Sequence, residues 1–329
     1  MFLKKFKNAF LLLLLTIYII PKNVLAYSDY IIASGDTVGI KLNISGILVA
    51  GSYEIDGKNP SFDAGINKGD IITNINNEKV KSIDDMITII NDCKCKKLNL
   101  SYIRNNKIYE TTLDLIDEKG VMKTGLYVKD NISGIGTLTY IDPETKLFGA
   151  LGHEIIDSNT GDIINSNNGS IFSSVVTDIT ESRIGDPGEK NATFNSNEIK
   201  GNVFENTNKG IFGNYLEEFD ASKVYKVAKP NEVKKGKAKI LTVLSGNTID
   251  SYEIEIKSIS KTEDGTKNIV FEITDEKLLK KTNGIIQGMS GSPIIQDEYI
   301  VGAVTHVVVD DPHKGYGIFI TNMLKEAEN

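Results

Sequence analysis

The chain has 329 residues, of which 40% are hydrophobic and 25% charged, and its formal net charge is −7. This length predicts two domains that can each bury a core, and the composition excludes a chain that is disordered over most of its length. The acidic balance argues against nucleic acid as a partner, because nucleic acid is bound mainly through lysine and arginine contacts to phosphates.

Residues 1–26 have the pattern of an export signal. Three lysines precede an apolar run at 9–20, and Ala26 ends a pattern of small residues that is typical of a cleavage site. The run is shorter than the about 20 apolar residues that span a bilayer. We therefore predict cleavage after Ala26, with an uncleaved N-terminal anchor as the alternative. Removing 1–26, which has four lysines and no acid, changes the net charge from −7 to −11, so we expect an exported protein whose partners are proteins or peptides.

The segment 27–118 is predicted to form the first domain. Glycine-punctuated apolar segments at 35–42 and 46–51 predict strands. Apolar residues at helical spacing predict a helix over 83–91, and Ser82 is suited to be its N-cap. The domain ends in a predicted hairpin whose two alternating runs turn at Asn105 and Asn106.

Cys93 and Cys95 are the two cysteines of the chain. Further cysteines or clustered histidines would be needed for a metal site, so we interpret them as free or locally paired thiols without a functional role. We predict neither a metal nor a cofactor for this protein.

The motif A-G-I-x-x-G-D-I-I-x-x-I-N at 64–76 resembles that of PDZ domains. The resemblance implies that the domain binds an extended peptide or a C-terminus by adding a strand to a sheet edge, with the carboxylate held by backbone N–H groups. By the same resemblance, Val38, Gly39 and Ile40 would form the carboxylate-binding loop. The alternative is a small scaffold that spaces or regulates its neighbour.

The segment 119–329 is predicted to form a second, mainly β domain. Short apolar runs alternate with Gly, Asn, Asp and Pro clusters, which predicts a barrel or a sandwich. The polar stretch 195–213 is predicted to be rich in loops, the basic stretch 223–237 to be a solvated face, and residues 323–328 to form a short closing helix. The predicted strands occupy 134–141, 146–151, 169–176, 239–244, 252–259, 268–273, 284–287, 293–295, 300–309 and 316–321.

The sequence Gly-Met-Ser-Gly-Ser-Pro at 288–293 is a candidate nucleophile turn. A serine between glycines can lie on a tight turn where its own N–H and that of a neighbour point at one spot, as acyl transfer requires. We therefore predict Ser290 as the nucleophile of peptide hydrolysis, with the N–H groups of Gly288 and Ser290 as the oxyanion hole. The alternative is an ordinary Gly/Ser turn between two strands.

Three histidines could act as the general base for Ser290. His153 follows an apolar strand at a glycine, which is a usual position for a reacting side chain, and is the predicted base. His306 lies inside a predicted strand, so we interpret it, together with Thr305, as lining the pocket, with the role of base as its alternative. His313 is predicted to be a solvated loop residue.

The carboxylate that would orient the base is not determined by spacing, because acids are plentiful. The position of Asp275 favours it as the orienting acid, because it ends a predicted strand before the nucleophile segment. Its alternative role is N-cap of the turn that follows. The other candidates are Asp142, Asp157, Asp162 and Asp178.

Four motifs together resemble the SpoIVB peptidases, the stage IV sporulation signalling serine proteases of endospore-forming bacteria. They are Leu-Gly-His at 151–153, Thr-Asp followed by a leucine- and lysine-rich run at 274–282, the nucleophile segment 284–293, and Gly-Ala-Val-Thr-His-Val at 302–307. The resemblance implies a PDZ domain followed by a trypsin-like pair of β-barrels with the site in the cleft between them. It places the catalytic residues on His153, Asp275 and Ser290.

The same resemblance implies a biological role. SpoIVB peptidases act between mother cell and forespore, where they cleave themselves and a membrane-bound inhibitor complex so that a late sigma factor becomes active. By the same resemblance, the PDZ domain would govern self-cleavage and substrate presentation. The rival interpretation is a secreted PDZ binding scaffold on a catalytically inactive barrel.

Two features depart from trypsin-like enzymes in general. Met289 stands where digestive members carry an aspartate that pairs with a new N-terminus, so activation through that ion pair is excluded and self-processing with the PDZ segment would replace it. Asp275 lies 15 positions before Ser290, much closer than in those enzymes.

Overall fold

The computed structural model describes residues 27–157, 161, 163–164, 166, 168–221, 224–260, 262 and 264–328. The predicted export signal, the candidate acid Asp162 and Lys223 of the basic stretch therefore lie outside the described residues. None of the helices in the described part of the chain is long and apolar enough to cross a bilayer.

The first part of the chain contains nine strands and two helices among the residues described. We number them β1 Tyr30–Ala33, β2 Thr37–Ser52, α1 Pro60–Asp63, β3 Ile71–Ile75, β4 Glu78–Lys79, α2 Ile83–Cys93, β5 Lys97–Arg104, β6 Lys107–Asp114, β7 Ile116–Glu118, β8 Val121–Lys123 and β9 Leu126–Ile141.

The rest of the described chain adds eleven strands and two α-helices. They are β10 Leu147–Ala150, β11 Gly169–Thr180, β12 Glu189–Thr207, β13 Gly210–Tyr215, β14 Val224–Val227, β15 Gly236–Val243, β16 Ile249–Ile259, β17 Ile269–Ile273, α3 Glu276–Thr282, β18 Pro293–Gln296, β19 Tyr299–Val307, β20 Lys314–Phe319 and α4 Ile320–Glu326. A 3-10 turn, Pro230–Glu232, lies between β14 and β15.

Two closed antiparallel barrels of six strands each make up the larger part of the fold. In the first barrel the strands follow one another around the ring in the order β2, β11, β12, β13, β10 and β9. In the second the order is β15, β16, β17, β20, β19 and β18. Closure leaves no free edge within either ring. The predicted double β-barrel is therefore confirmed.

The PDZ unit is inserted into the first barrel. Strand β2 pairs with β9 at both ends: Thr37 to Asn43 pair within the barrel, and Leu48 to Ser52 pair at the edge of the PDZ sheet. The sheet continues through β3, β5 and β6, and α2 packs on it over a core that includes Ile47, Ile72, Met86 and Leu126. Two neighbouring strands thus run without a break from one unit into the other.

This insertion corrects the predicted boundaries 27–118 and 119–329. Strand β1 pairs with β9 and with β14, and the first half of β2 belongs to the first barrel, so the N-terminal residues contribute to the peptidase fold. The pattern that predicted two separate strands at 35–42 and 46–51 is one strand with an irregularity between Asn43 and Leu48. Long-range pairing with β9 decides this, and local composition does not reveal it.

The local predictions for the PDZ unit agree with the structure. Helix α2 begins after Ser82, whose side chain accepts from the Asp85 N–H while the Asp85 carboxylate accepts from the Ser82 N–H. Asn105 and Asn106 both have positive φ at the turn between β5 and β6. Cys93 and Cys95 are bonded to each other at the end of α2.

Two predictions for the second part of the chain are wrong. The stretch 195–213 contains most of β12 and the start of β13, because its many polar side chains lie on the exposed face of paired strands and in irregularities of register. The stretch 284–287 is a loop in which Gln287 alone makes a bridge, to Glu189. The predicted closing helix exists as α4.

Candidate active site

The nucleophile loop spans 284–292, between α3 and β18 of the second barrel. Gly288 and Gly291 have φ of +88° and +93°, a region that favours glycine. A Cβ on Gly291 would lie 2.1 Å from the carbonyl oxygen of Thr137 and 2.5 Å from the backbone nitrogen of Leu151. This loop of the second barrel therefore contacts the first barrel directly, at the end of β10, the strand that precedes His153.

Backbone hydrogen bonds hold the loop at several points. The Gly291 N–H donates to the Val304 carbonyl at 2.7 Å, and the Ser292 N–H donates to the Met289 carbonyl at 2.9 Å. Met289 is completely buried in the core of the second barrel. Met289 anchors the loop in this apolar core. An aspartate at the same position would be buried and would need a partner of opposite charge.

The N–H groups of Gly288 and Ser290 are the two that the sequence predicts as an oxyanion hole. Within the part of the chain that the structure describes, neither group donates to another protein atom. Most buried backbone N–H groups are paired, so two unpaired groups on a glycine turn flanking one serine are available to an anionic oxygen.

The Ser290 hydroxyl donates to the Thr305 carbonyl oxygen at 2.8 Å. Among the described residues it makes no hydrogen bond to a histidine. Catalytic hydrogen bonds are often long or absent in unliganded sites and form when substrate is bound. The structure therefore shows the serine half-buried and resting on β19, with its hydroxyl turned away from a base.

His153 follows β10 and lies beside the nucleophile loop. A Cβ on the preceding Gly152 would be 3.0 Å from the Thr305 methyl group, which places this turn against the residue that accepts from Ser290. His153 Nδ1 lies 2.7 Å from the Glu154 carbonyl oxygen. Since a carbonyl can only accept, Nδ1 carries the hydrogen and Nε2 is left with the lone pair that a general base needs. Burial lowers the pKa of His153, against the opposing effect of that hydrogen bond.

His306 lies on β19 with its ring centroid 5.2 Å from that of His153. Partial burial, then the positive charges of His153 and Lys267, lower its pKa to about 4, although the residue as a whole is exposed to solvent. The structure thus brings His306 and Thr305 together with His153 and Ser290. His313 is exposed on the turn before β20.

Asp275 does not meet the predicted base. Its carboxylate accepts from the Leu278 N–H at 3.0 Å and from the Glu253 N–H at 3.3 Å, and it is the N-cap of α3. The alternative role of N-cap is therefore the one that the structure shows. The backbone carbonyl of Glu154 takes the position at His153 Nδ1 that sequence reasoning had given to a carboxylate.

The other acid candidates among the described residues accept hydrogen bonds elsewhere or lie near a lysine. Asp142 accepts from the Ser28 backbone and hydroxyl, and Asp178 accepts from the Ile179 N–H on an exposed strand. Asp157 is buried with Lys129 Nζ at 3.8 Å. Among the described residues, no group of three or more His, Cys, Asp or Glu is arranged to hold a metal ion.

The predicted carboxylate loop of the PDZ unit is also corrected. Val38, Gly39 and Ile40 are buried in β2, where they pair with β9 on one side and β11 on the other. A Cβ on Gly39 would lie 2.3 Å from the Phe194 ring. Residues with both strand edges occupied cannot add a peptide strand.

Lys190 is a residue that sequence reasoning missed. It lies at the start of β12, 4% exposed, and its ammonium contacts Thr242 Oγ1 at 2.8 Å beneath the nucleophile loop. Burial lowers its pKa to about 7, against the opposing effect of Asp36. A single lysine in a polar stretch gives no sequence signal of burial, so only the tertiary structure reveals it.

The family comparisons match both parts of the fold. A profile described as SpoIVB peptidase S55 matches residues 120–324, more than half of the chain, and a PDZ domain profile matches 35–115. The PDZ match includes the part of β2 that the structure gives to the first barrel. No curated protein matches.

Solved structures show weaker likeness. The PDZ domain of the SdrC-like protein Lmo2051 from Listeria monocytogenes is 28% identical, covering 26% of this chain and 90% of that one, with a TM-score of 0.23. The inactive form of the Rv3671c protease is 15% identical over 59% of this chain and 85% of that one, with a TM-score of 0.31. The active form from M. tuberculosis is 15% identical over 60% and 74%, also with a TM-score of 0.31.

At these TM-scores the solved structures do not by themselves establish a common fold, which rests here on the closed strand order of the two barrels. The match over 120–324 covers the whole nucleophile loop and the histidine turn that faces it. The chain belongs to the SpoIVB peptidase S55 family and is a serine peptidase that carries a PDZ domain.

Proposed function

We propose that this protein is a serine endopeptidase in which Ser290 is the nucleophile, His153 is the general base, and the N–H groups of Gly288 and Ser290 form the oxyanion hole. The observation that carries the proposal is the pair of unpaired N–H groups on the glycine turn that flanks Ser290.

The reaction follows from this placement. The Ser290 hydroxyl turns from the Thr305 carbonyl, its oxygen attacks the scissile carbonyl carbon, and its proton passes to His153 Nε2. The negative oxygen of the tetrahedral intermediate accepts from the two free N–H groups. His153 then gives the proton to the leaving amine, and a water molecule cleaves the acyl-enzyme by the same steps.

The absence of a carboxylate at His153 Nδ1 changes how the base is prepared. A neutral carbonyl fixes the tautomer, as a carboxylate would, but it stabilises the imidazolium less than a negative charge would. We therefore expect a slower peptidase than one with a complete triad, which suits an enzyme that cleaves few bonds in a signalling step.

For the biological role, we propose that the protein is exported, acts in the space between forespore and mother cell, and cleaves itself and a membrane-bound inhibitor complex in sporulation signalling. Support comes from membership of the sporulation peptidase family and from the signal-like residues 1–26. A PDZ domain supports binding of a peptide or a C-terminus as part of substrate presentation. Replacement of Ser290 by Ala at the native locus should block formation of heat-resistant spores, whereas normal sporulation of that strain would contradict this role.

The direct test of the chemistry uses the mature chain, residues 27–329, beside its Ser290→Ala variant. Both are incubated alone, and fragments are identified by intact mass and N-terminal mapping, while a fluorophosphonate probe reports on the nucleophile. We expect specific fragments and labelling at Ser290 from the wild type alone. The Ser→Ala change removes one hydrogen bond from a half-buried side chain, which typically costs about 0.5–1.5 kcal/mol, so the variant should remain folded.

The competing function is a PDZ binding scaffold on an inactive barrel. The hydrogen bond from Ser290 to Thr305 is the observation that favours it, because in this arrangement the hydroxyl does not face a base. A wild type that stays intact and unlabelled, also after addition of peptides with free C-termini, would favour the scaffold over the peptidase.

A further inference from the structure

Lys190 lies directly against the nucleophile loop. Its backbone N–H donates to the Gln287 carbonyl at 3.0 Å, and the Gln287 N–H donates to the Gly188 carbonyl at 2.7 Å. A Cβ on Gly288 would lie 3.1 to 3.2 Å from Cβ, Cγ and Cδ of Lys190. The stem of this lysine therefore forms the floor of the turn whose N–H groups are proposed to bind the oxyanion.

The ammonium of Lys190 is surrounded by three threonine hydroxyls. Nζ lies 2.8 Å from Thr242 Oγ1, 3.3 Å from Thr37 Oγ1 and 3.4 Å from Thr137 Oγ1. An ammonium has three donors and no acceptor, so three hydroxyl oxygens match it in number. Thr37 and Thr137 come from the first barrel and Thr242 from the second, so this cluster joins the two.

Thr137 connects the cluster to the nucleophile loop at two points. Its hydroxyl donates its single hydrogen to the Gly288 carbonyl at 2.7 Å, and its N–H donates to the Ser290 carbonyl at 3.0 Å. Because that hydrogen is committed to Gly288, the Thr137 oxygen can face Lys190 only as an acceptor. Because Lys190 keeps N–H donors in both charge states, it fixes the direction of the Thr137 hydroxyl.

We infer that Lys190 is a positioning residue for the oxyanion hole: it holds Thr137, and through Thr137 the carbonyl groups of Gly288 and Ser290, whose peptide groups adjoin those of the two donor N–H groups. A peptide group whose carbonyl is released can rotate and turn the neighbouring N–H groups away from the site. A donor to the oxyanion acts only when it already points at the developing charge. This inference rests on the proposed function of Ser290.

Lys190 does not act as the base itself. Its nitrogen contacts the three hydroxyls, and within the described residues it has no hydrogen bond to Ser290 or His153. The acidic group that acts on it is Asp36, whose carboxylate is paired with Lys200 at 2.5 Å. The contribution of Lys190 is therefore geometric.

The test measures the rate constant for labelling of Ser290 by a fluorophosphonate in the mature chain. In this reaction the Ser290 Oγ–P bond forms, the P–F bond breaks, fluoride leaves and the serine proton goes to His153, while the P–O group needs the oxyanion hole. We expect Lys190→Met and Thr137→Val to lower the rate by about 10- to 100-fold, below the about 10²- to 10³-fold cost of removing a donor outright. Thr137→Ser, which keeps the hydroxyl, should restore most of the rate.

A matched pair of controls separates positioning from general damage. Lys235→Met is the same change at an exposed lysine and should label as the wild type does. In a Ser290→Cys background, alkylation of the introduced thiol by iodoacetamide needs no oxyanion hole, so Lys190→Met should leave its rate within about threefold. Peptide mapping distinguishes that product from the disulfide-bonded Cys93 and Cys95.

Two results would overturn the inference. One is labelling of Lys190→Met at the wild-type rate, and the other is a parallel fall of iodoacetamide alkylation, which would show a general loss of the loop. Labelling that persists in Ser290→Ala would instead remove the proposed function, so the two failures can be told apart.

Discussion

The two barrels meet at two junctions of opposite character. At one, Tyr140 and Phe212 of the first barrel pack with Ala303 and Ile318 of the second and with Met323 of α4, all of them buried. At the other, Lys190 of the first barrel reaches Thr242 of the second through hydrogen bonds beneath the nucleophile loop.

The difference separates stability from site geometry. Apolar burial is strongly favourable but non-directional, so the first junction can hold the barrels together without fixing the angle of a peptide group. Buried hydrogen bonds contribute less net free energy because charge and hydroxyls must be desolvated, but they are directional. The apolar junction lies next to α4. The polar junction lies beneath the nucleophile loop, which contains the two N–H groups of the proposed oxyanion hole.

The largest expected effect is at the apolar junction. Phe212→Ala removes a fully buried ring and should lower the free energy of unfolding by about 3–5 kcal/mol, from lost transfer free energy and the cavity left behind. Chemical denaturation monitored by circular dichroism measures it. Phe62→Ala, at a ring that is 74% exposed, is the matched control and should stay within about 0.5 kcal/mol. Equal stability of the two variants would remove the distinction between the junctions.

The polar junction should make the free energy of unfolding depend on pH. The pKa of Lys190 is about 7 in the folded protein, against an ordinary value of 10.5. Between these values the unfolded chain binds one more proton than the folded one, so the contribution of Lys190 to the unfolding free energy should rise with pH, by up to about 1.4 kcal/mol per pH unit. Below pH 7 both states are protonated and the contribution is constant.

Lys190→Met should lack this rise, so the measurement is the difference in unfolding free energy between wild type and variant at several pH values. A range from about pH 7.5 to about pH 9.5 stays below the ordinary titration of tyrosine. Lys235→Met serves again as the exposed control. A difference between wild type and Lys190→Met that is flat with pH would mean that the folded protein keeps this lysine charged.

Asp275 lies at neither junction, so its replacement should affect stability more than chemistry. Asp275→Ala removes the N-cap of α3 and should cost about 0.5–2 kcal/mol, while Asp275→Asn retains a capping side chain and should cost less. Labelling of Ser290 should change less than tenfold in both. A loss near 10⁴-fold in Asp275→Asn, the size known for loss of an orienting aspartate, would show that the carboxylate reaches His153 during catalysis.

The smallest expected effect is a shift of the acidic side of the pH–activity profile to lower pH. Because burial lowers the pKa of His153, the base should stay neutral, and labelling of Ser290 should persist, at pH values somewhat below its ordinary 6.5. The labelling rate from about pH 4 to about pH 7.5 tests this. A midpoint at or above 6.5 would indicate a solvated or ion-paired base.

Short-range patterns in the sequence predicted the parts of the molecule that short-range interactions decide. Ser82 and Asp85 cap α2 through bonds across three residues, and Asn105 and Asn106 supply the positive φ of a hairpin turn. The glycines around Ser290 likewise predict a turn. In the described structure, the Gly288 and Ser290 N–H groups on that turn donate to no other protein atom. Resemblance added the double barrel.

The sequence by itself determined the nucleophile turn, the strand-rich class and the local caps, because each depends on residues a few positions apart. Tertiary structure alone decided that β2 and β9 run from the barrel into the PDZ unit, that Val38, Gly39 and Ile40 are buried, and that Asp275 caps a helix. It also decided that Lys190 is buried against threonines 52 to 153 positions away in the chain. Contacts at such separations leave no local periodicity, since they arise only when closure of two barrels brings distant strands together.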